Sequence, residues 1–147
     1  MIALAQDRYF TATGQEDGKP LIFRGLGRVP AGVKEADLAT RVAILWRYKS
    51  HANGMPDAET NDAQIAFEDA LEPLDASDTS RLMLVVTGNG RKEWHWYVKD
   101  FDAWMVLLNQ RLAQYAAYPI EITYSYEPAW SLYKDFMANL SDPEAAK

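Results

Sequence analysis

Residues 82–133 read LMLVVTGNGRKEWHWYVKDFDAWMVLLNQRLAQYAAYPIEITYSYEPAWSLY. The stretch opens with two runs in which apolar residues alternate, one from 82 to 86 and one from 94 to 98, and Asn89-Gly90 lies between them. Alternation with a period of two predicts strands with one buried face, and Asn-Gly accepts the positive φ angles of a tight hairpin turn. We therefore expect these two runs to pair as an antiparallel hairpin with the tryptophans of the second run buried.

Apolar residues at helical spacing predict two helices, one after the hairpin and one before it. After Asp100 the apolar positions predict a helix over residues 100–116; they are Phe101, Trp104, Met105, Leu108, Leu112 and Tyr115. An earlier helix is predicted over residues 57–72, with Asp57 as its N-terminal cap and Pro73 at its end. The inward stripe of this earlier helix is Ala63, Phe67, Ala70, Leu71 and Leu74.

Alternating segments elsewhere complete a sheet. Beside the hairpin, strands are expected over residues 8–13, 20–24, 39–49 and 120–126. The predicted fold class is α+β, a ferredoxin-like two-layer sandwich whose antiparallel-rich sheet carries both main helices on one face. An N-terminal hairpin and a short C-terminal helix from Pro128 are added to it. We expect one domain, 1–147, with its core over about 8–140.

Composition narrows the class of protein. The chain has 147 residues, 48% of them hydrophobic and 12% aromatic, which is typical of a folded domain rather than a disordered one. Cysteine is absent, so disulfides, a thiol nucleophile and a cysteine metal site are excluded. The apolar run Met1–Ala5 is too short for a signal peptide, and no later run approaches membrane length. We expect a cytoplasmic protein with no membrane association.

Negative charge is concentrated in one segment. The net charge is −6, yet residues 51–80 alone contain eight Asp and Glu with no Lys or Arg. Such a surface repels a phosphate backbone and attracts a basic partner. The alternative is that this segment is simply the solvated outer face of a helix.

The outer face of the first helix is the predicted partner-binding surface. Its residues are Asp62, Ile65, Glu68, Asp69 and Glu72. An apolar residue surrounded by charge is typical of the centre of a protein-binding surface. A single exposed isoleucine is also ordinary in monomeric proteins.

A second candidate surface follows from strand alternation. If Trp94, Trp96 and Val98 face the helices, the residues between them face away, and Ile120, Ile122, Tyr124 and Tyr126 point inward by the same pleat. The face without helices would then hold Arg41, Arg47, Lys49, Glu93, His95, Tyr97, Glu121, Thr123 and Ser125. Mixed charge beside one histidine and one tyrosine suits a small anionic ligand or a partner, whereas the alternative is a solvated face with cross-strand salt bridges.

Catalytic motifs are missing from the chain. The two histidines, His51 and His95, lie on different elements without the spacing of metal ligands. There is no Gly-x-Ser-x-Gly turn for a serine nucleophile, and Gly25-Leu26-Gly27 lacks the third glycine of a dinucleotide fingerprint. We therefore predict no catalytic residues, no metal and no cofactor.

A family resemblance rests on the order of short segments along the chain. They are Gly54-Met55-Pro56, Phe67-Glu68-Asp69-Ala70-Leu71, Thr87-Gly88-Asn89-Gly90-Arg91-Lys92-Glu93 with Trp96-Tyr97, Ile120-Glu121-Ile122 and Glu127-Pro128-Ala129-Trp130-Ser131-Leu132-Tyr133. In this order they resemble the bacterial domain-of-unknown-function family six-nine-five, over about residues 8–140, although Glu127-Pro128 departs from the usual pattern. The resemblance implies no established activity. More distantly, residues 122–133 are similar to the protein regulator of ribonuclease E, an acidic α+β protein that binds the enzyme rather than its RNA.

The leading functional hypothesis is a non-catalytic regulatory or partner-binding module that binds another protein through the acidic helix face. A toxin-neutralising immunity protein would be a specific version. The alternative is a small-molecule-binding protein or enzyme that uses Arg47, His95 and Tyr97 on the open sheet face. Direct RNA binding ranks third, because the net charge opposes it and the aromatic-glycine signature of sheet-based RNA modules is missing. A homo-oligomer is left open.

Overall fold

The described residues form six strands and three α-helices. The computed structural model describes residues 9–75, 78–115 and 117–141. In chain order the elements are β1 (Tyr9–Glu16), β2 (Lys19–Leu26), β3 (Thr40–Arg47), α1 (Ala58–Leu71), β4 (Ser80–Gly88), β5 (Arg91–Val98), α2 (Phe101–Leu112), β6 (Ile120–Tyr126) and α3 (Ser131–Ser141). The strands form one sheet in the order β1-β2-β4-β5-β3-β6, and each is antiparallel to its neighbours. The α+β class is confirmed.

Several predicted boundaries shift. The sheet strands β1 and β2 run to Glu16 and Leu26, further than expected, whereas β3 ends at Arg47 and leaves Lys49 in the following loop. The second helix ends at Leu112 and α3 begins at Ser131 rather than at Pro128. The expected strand start at residue 8, the expected absence of a signal segment at residues 1–5 and the expected helix end at residue 116 fall outside the described residues.

The hairpin between β4 and β5 is confirmed. Asn89 and Gly90 have φ angles of 51° and 85°, the left-handed values that a tight primed turn requires. The turn is also tied to the loop after β3, because the Gly90 amide donates to the Gly54 carbonyl at 2.9 Å and its carbonyl accepts from the Tyr48 amide at 3.0 Å. These backbone hydrogen bonds fix the turn against the loop that leads into α1.

A β-bulge at Met83 changes the face assignment within β4. Leu82 lies opposite Trp96, but Leu84 lies opposite His95, so the two leucines point to opposite faces of the sheet. The expectation that positions 82, 84 and 86 share one face is wrong for this reason. Gly25 is needed beside the bulge, because a β carbon there would lie 2.2 Å from the Met83 carbonyl oxygen.

The main core lies between the sheet and helices α1 and α2. Trp94 and Trp96 are each 1% exposed, as predicted, and the inward stripes of both helices pack on them. Tyr124 and Tyr126 lie on the helix-bearing face as predicted, and the Tyr124 ring stacks on Phe101 of α2 with centroids 4.0 Å apart. They are nevertheless 62% and 77% exposed, because β6 is an edge strand. Tyr115 is also outside the core, since α2 ends three residues before it.

A second core covers the opposite face of the sheet. It contains Leu26, Leu38, Met83, Tyr97, Trp130 and Tyr133. The Trp130 ring stacks on Tyr97 with centroids 4.3 Å apart, and its indole N–H donates to the Leu38 carbonyl at 2.8 Å. Further along α3, Phe136 contacts the rings of Phe10 and Phe23. The predicted helix-free face is therefore wrong over β1, β2, β4 and β5, where α3 and its neighbouring loop pack.

Candidate functional site

The exposed flank of α1 carries a row of acidic residues around one isoleucine. Asp62, Ile65, Asp69 and Glu72 lie three or four positions apart and all are exposed, Ile65 to 49%. They point outward because Phe67 and Leu71 on the opposite side of the helix are buried in the main core. We call these four residues the acidic flank. No ion pair joins its carboxylates to any residue that the structure describes.

Glu68, the fifth residue predicted for this surface, faces the sheet instead. Its carboxylate accepts hydrogen bonds from Arg24 Nη2 at 2.6 Å and from the Trp94 indole N–H at 2.8 Å. Burial raises the pKa of Glu68, but the hydrogen bond and charge of Arg24, together with the Trp94 bond, outweigh it, so the pKa is lowered. Glu68 is one turn from Gln64 and Leu71, both buried, which places it at the edge of the inward face rather than on the acidic flank.

A groove runs beside α1 because β1 and β2 extend the sheet beyond the helix. It consists of two adjoining clefts that share Arg24 as a common wall. The first, of about 610 Å³, is lined by Tyr9, Arg24, Glu68, Asp69, Leu71, Glu72, Asp75, Arg81, Leu82 and Trp96. The second, of about 410 Å³, is lined by Ile22, Arg24, Met55, Pro56, Asp57, Ala58, Asn61, Thr87 and Lys92. We call them the first and second clefts.

Both arginines of the first cleft are in ion pairs. Arg24 pairs with Glu68, and Arg81 Nε lies 3.1 Å from Asp75 Oδ1. The other two carboxylates of the cleft, Asp69 and Glu72, belong to the acidic flank. The first cleft is therefore negative on balance and continuous with the acidic flank.

The second face of the sheet holds a buried polar network. Arg41 Nε lies 2.5 Å from Glu127 Oε2, and the Tyr97 hydroxyl donates to Glu127 Oε1 at 2.8 Å. Arg41 Nη1 also donates to His95 Nδ1 at 3.2 Å, and since arginine has no acceptor, Nδ1 carries no proton. The His95 proton is consequently on Nε2, which donates to Glu93 Oε1 at 2.9 Å. The network thus fixes the tautomer of His95.

Further arginine contacts complete the network at the hairpin. Arg91 Nε donates to Glu93 Oε2 at 2.8 Å, and Arg91 Nη1 donates to Glu16 Oε1 at 2.9 Å. The hydrogen bond from His95 is the largest cause that lowers the pKa of Glu93, to about 2, and Arg91 adds to it against the effect of burial. Burial and the neighbouring Glu127 raise the pKa of Tyr97. We call this set of side chains the second-face network; its members are Glu16, Arg41, Arg91, Glu93, His95, Tyr97, Ser125 and Glu127.

The second-face network attaches α3 to the sheet. Glu127 Oε1 accepts from the Leu132 amide at 3.0 Å, and the Tyr97 hydroxyl accepts from the Tyr133 amide at 3.4 Å. Both amides belong to the first turn of α3, where backbone N–H groups lack helical partners. The polar groups of the network therefore stabilise the fold by satisfying one another and the helix terminus.

Five of the nine residues predicted for the open face meet in this network: Arg41, Ser125, Glu93, His95 and Tyr97. The prediction of an open face is wrong for the last two, which are 5% and 0% exposed. Arg47 and Glu121 pair with each other at the exposed edge, with Nε and Oε2 3.1 Å apart, and Lys49 lies beyond the strand.

Sequence reasoning missed three residues of these sites. Glu127 follows the last alternating position of β6 and therefore read as a loop residue. Arg24 was assigned only to a strand. The inward position of Lys92 could have been predicted, because Lys92 precedes Trp94 by two positions on the same strand and so lies on the same face.

No helix formed by the described residues has the length and apolar character needed to cross a bilayer. A protein-family model described as a family of unknown function, DUF695, matches residues 9–138. The chain shows no significant match to a curated protein or to a solved structure. The matched region contains every segment on which the resemblance to family six-nine-five was based.

Proposed function

Since the chain belongs to DUF695, a family described as having unknown function, we propose from its surfaces that it is a non-catalytic regulatory protein that binds a basic segment of another protein along the acidic flank of α1. The observation that carries the proposal is the exposure of Ile65 at the centre of three carboxylates that have no counter-charge among the described residues. An apolar anchor within a charged rim is the usual anatomy of a binding hot spot. The rim attracts the partner and the anchor slows its release.

The first cleft supports the same proposal. It adjoins the acidic flank through Asp69 and Glu72, and its two arginines are already paired internally. A lysine or arginine of the partner would meet carboxylates there without displacing an existing charge pair. Complementary charge of this kind increases the association rate more than it increases affinity.

We also infer that the segment from β3 to β6 has a ferredoxin-like arrangement. Its elements follow in the order strand, helix, strand, strand, helix, strand, and its strands lie as β4-β5-β3-β6. The distant likeness to the ribonuclease E regulator agrees with this layout by analogy only. Partner identification will distinguish a ribonuclease, as for a regulator, from a toxin, as for an immunity protein.

The test begins with affinity capture from native cell lysate by wild-type protein and by the double variant Asp69→Lys/Glu72→Lys. A matched control, Asp102→Lys/Asp135→Lys, makes the same charge change at exposed positions of α2 and α3. Proteins retained by wild type and control but lost by the flank variant are then purified, and their binding kinetics are measured. The proposal predicts that the flank variant lowers the association rate about tenfold at low salt, and less at high salt because ions screen the charges.

Ile65→Ala tests the anchor separately. We expect its dissociation rate to rise about tenfold while its association rate stays within about twofold of wild type. Neither change alters the buried face of α1, so the thermal unfolding curves should be superimposable. Capture and rates that are the same for flank and control variants would contradict the proposal.

A further inference from the structure

Lys92 is buried at the base of the second cleft. The residue is only 7% exposed, and its strand register places it between Thr87 and Trp46 on the helix-bearing face of the sheet. Its Nζ lies 5.4 Å from the centroid of the Trp94 ring. In the described part of the chain, no carboxylate lies within ion-pair distance of this ammonium and no group accepts a hydrogen bond from it.

A second cation lines the same cleft. Arg24 is on the neighbouring strand β2, and its side chain is 38% exposed with only Nη2 bound to Glu68. Burial lowers the pKa of Lys92, the charge of Glu68 opposes that effect, and the charge of Arg24 lowers the pKa further. Two cations therefore face one cleft, and Glu68, whose charge acts on Lys92, is already hydrogen-bonded by Arg24 and Trp94.

Charge balance distinguishes this cleft from the acidic flank. Asp57 stands at its mouth, but its Oδ1 accepts from the Thr60 amide at 2.8 Å and so caps α1. The Lys92 side chain is largely buried, and its ammonium lines the cleft without an ion-pair partner among the described residues. An anion would supply the missing partner.

We propose that the second cleft binds a small molecule through an oxyanion group, a carboxylate or a phosphate, held between Lys92 Nζ and the Arg24 guanidinium. Arginine offers paired N–H donors that match such a group, and lysine offers a compact charge. The Thr87 hydroxyl and the Asn61 amide line the cleft and provide further polar contacts. The cleft volume of about 410 Å³ is in the range of small-metabolite sites.

The rest of the cleft fits an apolar body on that ligand. Ile22 is 41% exposed there, and Met55 and Pro56 form the adjoining wall. This site shares Arg24 with the first cleft, but Lys92 and Thr87 belong to the sheet and not to the acidic flank, so the flank variant leaves all of its anion-binding residues in place. The two proposals therefore succeed or fail separately.

The probes are inorganic phosphate and acetate, each added to the full chain at constant ionic strength with chloride as the balancing anion. Two-dimensional ¹H–¹⁵N NMR follows the backbone amides of Asn61, Thr87 and Lys92 and the Arg24 Nε–H group. We expect saturable shifts confined to this cleft, with a dissociation constant of about 1–10 mM for such minimal ligands. Saturation by phosphate alone assigns a phosphoryl ligand, and saturation by acetate as well assigns a carboxylate.

Lys92→Met keeps the side-chain length and removes the charge. We expect it to weaken anion binding at least about tenfold and to raise the melting temperature by about 3 °C or more, because the unpaired ammonium is gone. Thr87→Val should weaken binding by about threefold. Lys49→Met, at an exposed loop position, is the control and should change neither measurement.

Three results would overturn the proposal. The first is the absence of saturable shifts at the cleft with both probes, each added up to about 50 mM, several times the expected dissociation constant. The second is binding by Lys92→Met as tight as by wild type. The third is a lower melting temperature for Lys92→Met, since that would show the ammonium to be a structural group stabilised by the Trp94 ring.

Discussion

The two faces of the sheet carry similar charged residues, but these residues are fully paired on one face and only partly paired on the other. On the second face, arginines and carboxylates form a closed set in which Arg41, Arg91, Glu93 and Glu127 each contact an opposite charge. On the helix-bearing face, pairing is incomplete. Lys92 has no ion partner among the described residues, and the acidic flank has no counter-charge there.

The incompletely paired charges around α1 say more about function than the closed network does. A closed network pays its desolvation cost with internal hydrogen bonds and so needs nothing from outside. A largely buried charge without a partner lowers stability, whereas exposed carboxylates are solvated, and a protein gains from either only when something else binds. We therefore interpret the second-face network as part of the fold, and both of our proposals place binding in the surroundings of α1.

The largest effect is expected from opening the closed network. Arg41→Met leaves the Glu127 carboxylate, with a side chain only 14% exposed, without its cation. We expect the free energy of unfolding, measured by urea denaturation, to fall by about 3 kcal/mol. Arg47→Met removes a cation from the exposed Arg47–Glu121 pair and should cost less than about 1 kcal/mol. Equal losses for both variants would mean that the network is no more structural than a surface salt bridge.

Acid should weaken the same network. The pKa of Glu93 is lowered from 4.5 to about 2, so its contribution to stability is complete above pH 4.5 and is lost as the pH falls toward 2. Between about pH 6 and about pH 3 this loss amounts to about 2 kcal/mol. Glu93→Gln should show a correspondingly smaller loss in urea denaturation at the two pH values, whereas Glu121→Gln at the exposed edge should behave like wild type.

The sequence predicted the helix-bearing side of the molecule well. Hairpin, helix stripes and buried tryptophans all follow from local periodicity, because residues near one another in the chain form them. The Asn89-Gly90 turn and the Phe67 and Trp104 stripes are in this class. The acidic flank is also local, and four of its five predicted members lie outward.

The second face was predicted poorly for a different reason. Its cover comes from Trp130 and Leu38, which meet Tyr97 from distant parts of the chain. Alternation along β5 predicts that Tyr97 and Trp96 lie on opposite faces of the sheet, but it does not predict which residues cover Tyr97. The Met83 bulge likewise inserts one residue that leaves no periodic trace, and it reverses the faces of Leu82 and Leu84.

The smallest effect is expected on the helix-bearing face, where removing a buried polar group should increase stability. Gln64 on α1 is 0% exposed, and neither its amide nitrogen nor its amide oxygen has a hydrogen-bond partner among the described residues. A buried amide without partners costs about 1–3 kcal/mol, and methionine fills a similar volume without polar atoms. Gln64→Met should therefore raise the free energy of unfolding by about 1 kcal/mol, while Gln110→Met at an exposed position of α2 should leave it unchanged. A loss of stability in Gln64→Met would show that the amide is satisfied in solution, by water or by a ligand, and would place it among the functional groups of α1.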